Sequence, residues 1–197
     1  MIPLVHFFGD SFVAGFGDPS GQGWVGRVAL KGSENGWPFE VANHGVPGET
    51  SAQAVARWFN TLVEPAAVRQ RDERAVFSFA TNDVIMGMSQ EESVASLRAA
   101  LDLAKSLEVP AFVVGPPPVG DLPEADARLA LVSQAYAELA AEFGVPFVAT
   151  HAALSEPGPW LQEAAAADGS HPTGGGYAEL AKLIEAGGFA GWIADAR

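Results

Sequence analysis

Val5-His6-Phe7-Phe8-Gly9-Asp10-Ser11-Phe12 is an apolar run that stops abruptly at Gly-Asp-Ser. A strand buried on both faces of a parallel sheet has this near-continuous apolar character. In open α/β sheets ligands bind just outside the carboxyl ends of such strands, so Ser11 stands where a nucleophile is useful. On local grounds alone, a serine in a strand-to-loop turn is an ordinary turn or capping residue. Its meaning rests on whether a base, an orienting acid and oxyanion donors exist elsewhere.

Working outward, short apolar runs alternate with helical stretches. After a Gly-rich loop from Gly15 to Gly23, Trp24–Leu30 reads as a helix with Trp24, Val25 and Val28 inward. Phe39–Ala42 reads as a second strand, leading into Asn43-His44-Gly45-Val46-Pro47-Gly48. Thr50-Ser51 can cap a helix to about Val63, with Ala54, Val55, Trp58, Phe59 and Leu62 at helical spacing. Ala75–Ala80 is a third strand, ending at Thr81-Asn82-Asp83. Ser89 and Glu92 form a capping box for a helix to Leu107. Pro110–Val114 is a fourth strand, Ala125–Phe143 an Ala-rich helix and Val145–Val148 a short fifth strand. His151–Ala167, with Pro157 and Pro159, reads as irregular. A final helix spans about Gly176–Ala186, followed by a turn around Trp192. Strands alternating with helices imply a parallel sheet covered on both faces. The expectation is one α/β domain, residues 1–197, built as a three-layer α/β/α sandwich around a five-stranded, mostly parallel sheet.

Bulk properties narrow the function. The 197 residues are 48% hydrophobic and 18% charged, which is globular rather than disordered. The net charge of −13 argues against nucleic acid or an anionic membrane as partner, since both need a basic footprint. The absence of cysteine excludes disulfides, thiolate chemistry and Cys-based zinc sites. No two histidines stand at metal-ligand spacing, and no cofactor or metal is expected. No signal peptide or membrane-length apolar run is visible, so a cytoplasmic location is expected, without membrane insertion.

Ser11, Asp168 and His171 supply a nucleophile, an orienting acid and a base. Serine is a weak nucleophile until a neutral imidazole takes its proton, and that imidazole must be held in one tautomer. An acid three residues before the histidine, across Gly169-Ser170, lets both side chains point one way. The Ser11 N–H, the Gly45 N–H and the Asn82 amide stand at plausible positions for oxyanion donors.

These residues resemble the GDSL (SGNH) hydrolases. Gly9-Asp10-Ser11-Phe12 is similar to the family's first block, and Asn43-His44-Gly45-Val46-Pro47-Gly48-Glu49-Thr50 to its second. Thr81-Asn82-Asp83 resembles the third and Asp168-Gly169-Ser170-His171-Pro172 the last, all in the family's order. The resemblance implies the SGNH-hydrolase, flavodoxin-like fold and a serine esterase acting through an acyl-enzyme on Ser11. Its substrate would be a small or short-chain acyl ester, with acetylated sugars, thioesters or lysophospholipids as alternatives. Two positions depart from the pattern. Phe12 replaces leucine, and Ala80 stands where the third block has glycine, so a positive φ there would strain the chain before Asn82.

Other residues have plainer readings. Asp10 and Asp83 are expected to make structural hydrogen bonds, His6 to be packed, and His44 to border the site. His151 is a weaker rival for the base, and Phe16, Trp24 and Trp160 are candidates for the mouth. Gly21-Gln22-Gly23-Trp24-Val25-Gly26 fits a dinucleotide fingerprint, with Glu40 downstream. That fingerprint should open directly from the first strand, and here about a dozen residues intervene. A catalytically silent ligand-binding module is the remaining alternative.

Overall fold

The computed structural model describes residues 2–61 and 68–195. Five strands form one parallel sheet in the order β2-β1-β3-β4-β5: β1 (Leu4–Gly9), β2 (Glu40–Gly45), β3 (Glu73–Ser78), β4 (Ala111–Val114) and β5 (Phe147–Val148). Alternate residues of a strand point to opposite faces, and the core divides accordingly. Val5 and Phe7 join Val76, Phe112 and Val114 on one face, packed with Trp24, Tyr177 and Phe189. Phe8 joins Ala75, Phe77, Ala111 and Val113 on the other, packed with Trp58, Leu97 and Tyr136. The first face is covered by α2 (Gly23–Glu34), α9 (Gly174–Ala186) and α10 (Phe189–Ala194). The second is covered by α3 (Ser51–Thr61), α5 (Gln90–Ser106) and α6 (Pro123–Phe143). This is the three-layer arrangement that the apolar periodicity implies. Leu62 and Val63, read from spacing as the end of the third helix, lie outside the described residues. Among the described residues no helix is long and apolar enough to cross a membrane.

The strand order is what positions the site. The chain leaves β1 for β2 on one side and returns past it to β3 on the other, so the crevice opens at the carboxyl end of β1. Gly9, Gly45 and Ser78 end their strands in register. A β-carbon on Gly9 would overlap the Ser78 carbonyl oxygen, and one on Gly45 would overlap the Ala14 backbone. These two glycines let α1 (Ser11–Ala14) fold tightly across the strand ends.

Several local expectations are revised. Ser11 begins a four-residue helix, capped by Asp10, whose Oδ1 accepts the Phe12 N–H at 3.0 Å. The second strand runs on through Asn43, His44 and Gly45. It is an edge strand, and Asn43 Nδ2 donates to the Val13 carbonyl at 2.8 Å, so polar side chains continue it. The segment read as irregular forms α7 (His151–Leu154) and α8 (Pro159–Ala166). Pro159 sits at a helix start, where its missing N–H costs nothing and its fixed φ helps. The remaining helix, α4 (Thr81–Ile85), follows β3 directly.

Candidate active site

Ser11 is the first residue of α1, where an N–H has no intrahelical acceptor. No acceptor for it occurs among the described residues. The Ser11 side chain meets the loop between α8 and α9. Its Oγ lies 2.7 Å from His171 Nε2, and His171 Nδ1 lies 2.7 Å from Asp168 Oδ2. A carboxylate only accepts, so the ring proton belongs on Nδ1 and the Nε2 lone pair faces the serine hydroxyl.

The loop that carries the acid and base is built from its own hydrogen bonds. Asp168 Oδ1 accepts the N–H groups of Ser170 at 3.0 Å and His171 at 2.8 Å, leaving Oδ2 for the ring. Burial opposes ionisation of Asp168, yet these donors outweigh it and hold the carboxyl down at about 2. Gly169 turns the loop at φ +89°, with the Asp121 carboxyl packed where a side chain would stand. The His171 ring lies between Phe12, 5.1 Å away, and Phe16, 4.9 Å away.

Two glutamates fix this loop from behind, and neither carried a sequence signal. Glu163 on α8 accepts the N–H groups of Thr173, Gly175 and Gly176 at the start of α9. Glu179 on α9 accepts the Trp160 N–H at the start of α8. Each helix thus caps the other. Thr173 at the α9 cap makes no side-chain cap bond and Gly158 at the α8 cap has no side chain, so these helix starts are satisfied by distant carboxylates. Tyr177 Oη donates to the Phe16 carbonyl at 2.6 Å and pins the opposite wall.

The donors divide differently from the sequence expectation. Asn82 stands at the start of α4, and its Nδ2 donates to the Glu49 carbonyl at 2.9 Å, leaving a second N–H. Ala80 caps that helix at φ +104°, so alanine does occupy the left-handed region before Asn82. Gly45 is a correction. Its N–H donates to Asn43 Oδ1 at 2.9 Å, because the block extends as strand through Gly45 and the Asn43 side chain folds back on it. Three residues on, Gly48 adopts φ +82°, is exposed, and has no acceptor for its N–H among the described residues. Its place next to Glu49, which Asn82 grips, puts it beside the same crevice. The Pro47-Gly48 turn signal marked it in the sequence.

Of the remaining candidates only Phe16 reaches the site among the described residues. Asp83 is fully buried and accepts the Ser51 N–H and the Ser93 hydroxyl, each at 2.7 Å, tying α3, α4 and α5 together. His44, expected at the border, stacks on Phe8 at 4.6 Å, and its Nε2 lies 3.0 Å from His6 Nδ1. His151 faces Asp126 at 3.8 Å. Trp24 and Trp160 are fully buried, while Phe16 is 52% exposed at the mouth. The dinucleotide fingerprint fails on geometry. Asp18 Oδ2 accepts the Gly23 N–H at 3.0 Å and also pairs with Arg27, so a carboxylate fills the helix terminus a pyrophosphate would need.

Comparison with known proteins places this geometry in context. The model of the GDSL-like lipase/acylhydrolase family matches residues 7–179. Esterase TesA of Pseudomonas aeruginosa is 26% identical over 107 residues. That match takes in 54% of this chain and 51% of the esterase, so the chain matches about half the length of its curated relative. A crystal structure of TesA superposes with a TM-score of 0.76 at 23% identity, covering 94% of this chain and 97% of the other. The lipase/acylhydrolase of Enterococcus faecalis gives 0.75 at 25% identity, covering 96% and 97%.

Proposed function

The chain belongs to the GDSL-like lipase/acylhydrolase family, and on that premise we propose that it is a serine esterase hydrolysing carboxylic ester bonds. The observation that carries the proposal is the unbroken relay from Asp168 through His171 to Ser11, two contacts of 2.7 Å each. As His171 Nε2 removes its proton, Ser11 Oγ attacks the ester carbonyl carbon and a tetrahedral oxyanion forms. The protonated ring then gives that proton to the leaving alcohol, and the acyl group stays on Ser11. Water enters, His171 takes its proton in turn, and the acid is released with Ser11 restored. Asp168 holds the ring tautomer and stabilises the imidazolium throughout. The oxyanion is held by the Ser11 N–H, the second Asn82 amide N–H and the Gly48 N–H. Each donor of this kind is worth about 10²–10³ in kcat.

The reaction needs no metal or organic cofactor, because the hydroxyl, ring and carboxylate supply every proton transfer. A small or short-chain acyl ester is the first reading of the substrate. A second reading rests on one observation. A groove of about 610 Å³ between α4 and α6, lined by Val84, Ile85, Leu122 and Ala125, begins two residues from Asn82. Its apolar walls suit a longer acyl chain, as an ester or a thioester.

The test is hydrolysis of p-nitrophenyl esters from acetate to palmitate by the wild type and by Ser11→Ala. Wild-type turnover that Ser11→Ala abolishes is expected. A rate peak at two to four carbons supports the short-chain reading, and one at eight or more supports the groove. Turnover that persists in Ser11→Ala overturns the nucleophile, and a wild type inert on every ester leaves the silent binding module.

A further inference from the structure

Asp10 is a buried acid beside the nucleophile that the relay does not use. It follows β1 directly and precedes Ser11, and it is 2% exposed. One carboxyl oxygen, Oδ1, accepts the Phe12 N–H at 3.0 Å. The other, Oδ2, is buried with no hydrogen-bond partner among the described residues. A buried polar atom left unpaired is costly and uncommon in native proteins, and a charged one more so. Among the described residues no Lys, Arg or His forms an ion pair with it. The charged and titratable groups around Asp10 are Asp83 on α4, Glu49 beside Gly48, Tyr177 on α9, and His171 across Ser11. Glu49 is itself paired with Arg57. The charged neighbours that act on it are both acidic, Asp83 and Glu49.

Resting on the serine esterase reading, we propose that Asp10 is a positioning residue that must be uncharged for the reaction. As the neutral acid it caps α1 through Oδ1 and keeps the Ser11 N–H aimed at the developing oxyanion. As the anion it sets a negative charge immediately behind that oxyanion, in a water-poor setting where like charges repel strongly. Burial is the main influence on this carboxyl. The N–H groups of Phe12 and of Asp10 itself work against it, but Asp83 and Glu49 reinforce it, and the balance pushes Asp10 up to about 7. The switch between the two forms therefore falls inside the working pH range.

Asp10→Asn separates the two roles, since the amide oxygen can still accept the Phe12 N–H while the side chain cannot ionise. The experiment measures kcat/KM on p-nitrophenyl acetate from pH 5.5 to 9.5 for both proteins, corrected for spontaneous hydrolysis. Wild-type kcat/KM is expected to fall about tenfold above its plateau as Asp10 ionises, since a like charge opposes the oxyanion. Asp10→Asn is expected to stay level over the same range, with the change carried in kcat rather than KM. The carboxyl carbon shift of Asp10, followed by NMR in wild type, is expected to titrate near 7. That readout stands even where the variant folds poorly. A carbon shift that titrates near the ordinary value of ~4, or an unchanged alkaline limb in Asp10→Asn, overturns this inference alone. A wild type inert on every ester overturns the esterase reading and this inference together.

Discussion

A single histidine at the sheet's carboxyl edge and a histidine pair on its strands differ in nearly everything but residue type. At the carboxyl edge, His171 lies between a carboxylate and a hydroxyl, 2.7 Å from each, on a loop whose Asp168 side chain is 48% exposed. On β1 and β2, His6 and His44 lie ring to ring, 3.0 Å between nitrogens, stacked with Phe8 inside the fold. For the inner pair, burial above all, with Arg71 beside His6 and with His6 and Arg57 beside His44, pulls both rings down to about 4. One ring can donate to the other only while the accepting ring is neutral. The outer ring has an acid to hold one nitrogen and leave the other free. An imidazole becomes chemistry through its partners, and among the described residues the inner pair has no carboxylate within hydrogen-bond distance, Glu73 lying 3.8 Å from His6.

The contrast breaks at a definite set of substitutions. The largest effect is expected at Ser11→Ala, which should cut kcat by about 10⁴-fold or more while leaving the thermal midpoint near wild type. Steady-state kinetics beside a melting curve checks both halves. Asp168→Asn should follow at about 10³–10⁴-fold, since an amide at that place favours the wrong ring tautomer. A smaller loss, close to that of His171→Ala in neither size nor pH dependence, would show the ring to be held by Phe12 and Phe16 instead. Asn82→Ala should cost about 10²–10³ in kcat with little change in KM, as a donor used only by the oxyanion does. A loss confined to KM would assign Asn82 to ground-state binding.

The inner pair sharpens the comparison from the other side. Its folded values lie below the ordinary 6.5, so the unfolded chain binds more protons between the two values. Stability is therefore complete above pH 6.5 and lost as pH falls toward 4. His44→Gln removes one of these groups and should leave kcat/KM unchanged at pH 7. It should also flatten the fall of unfolding free energy over that window by about one proton's worth, read by urea titration at several pH values. An activity loss comparable to that of Asn82→Ala would bring the inner pair into the reaction and dissolve the distinction.

Much of this was legible beforehand. The apolar run ending at Ser11 marks a buried parallel strand, and alternating runs and helical stretches mark the three layers. The capping box at Ser89 and Glu92 forms as its spacing implies, because a cap is a local bargain among four residues. Prolines misled at 151–167, since Pro159 starts a helix as readily as a proline ends one. Gly45 misled for a subtler reason. A glycine in a loop block reads as a free amide, but here its missing side chain serves α1 and its N–H serves Asn43.

By itself the sequence determined which chemical groups exist and on which local elements they ride. It set a serine after the first strand, an acid three residues before a histidine near the end, and an asparagine after the third strand. Only the tertiary structure decided which groups meet: Ser11 with a ring 160 residues away, Glu163 and Glu179 across two helices, and an Asp10 oxygen with no hydrogen-bond partner among the described residues. Local period and residue chemistry are written in neighbouring letters. Contact between distant loops depends on strand order and on which faces bury each other, and those are settled only when the whole sheet closes.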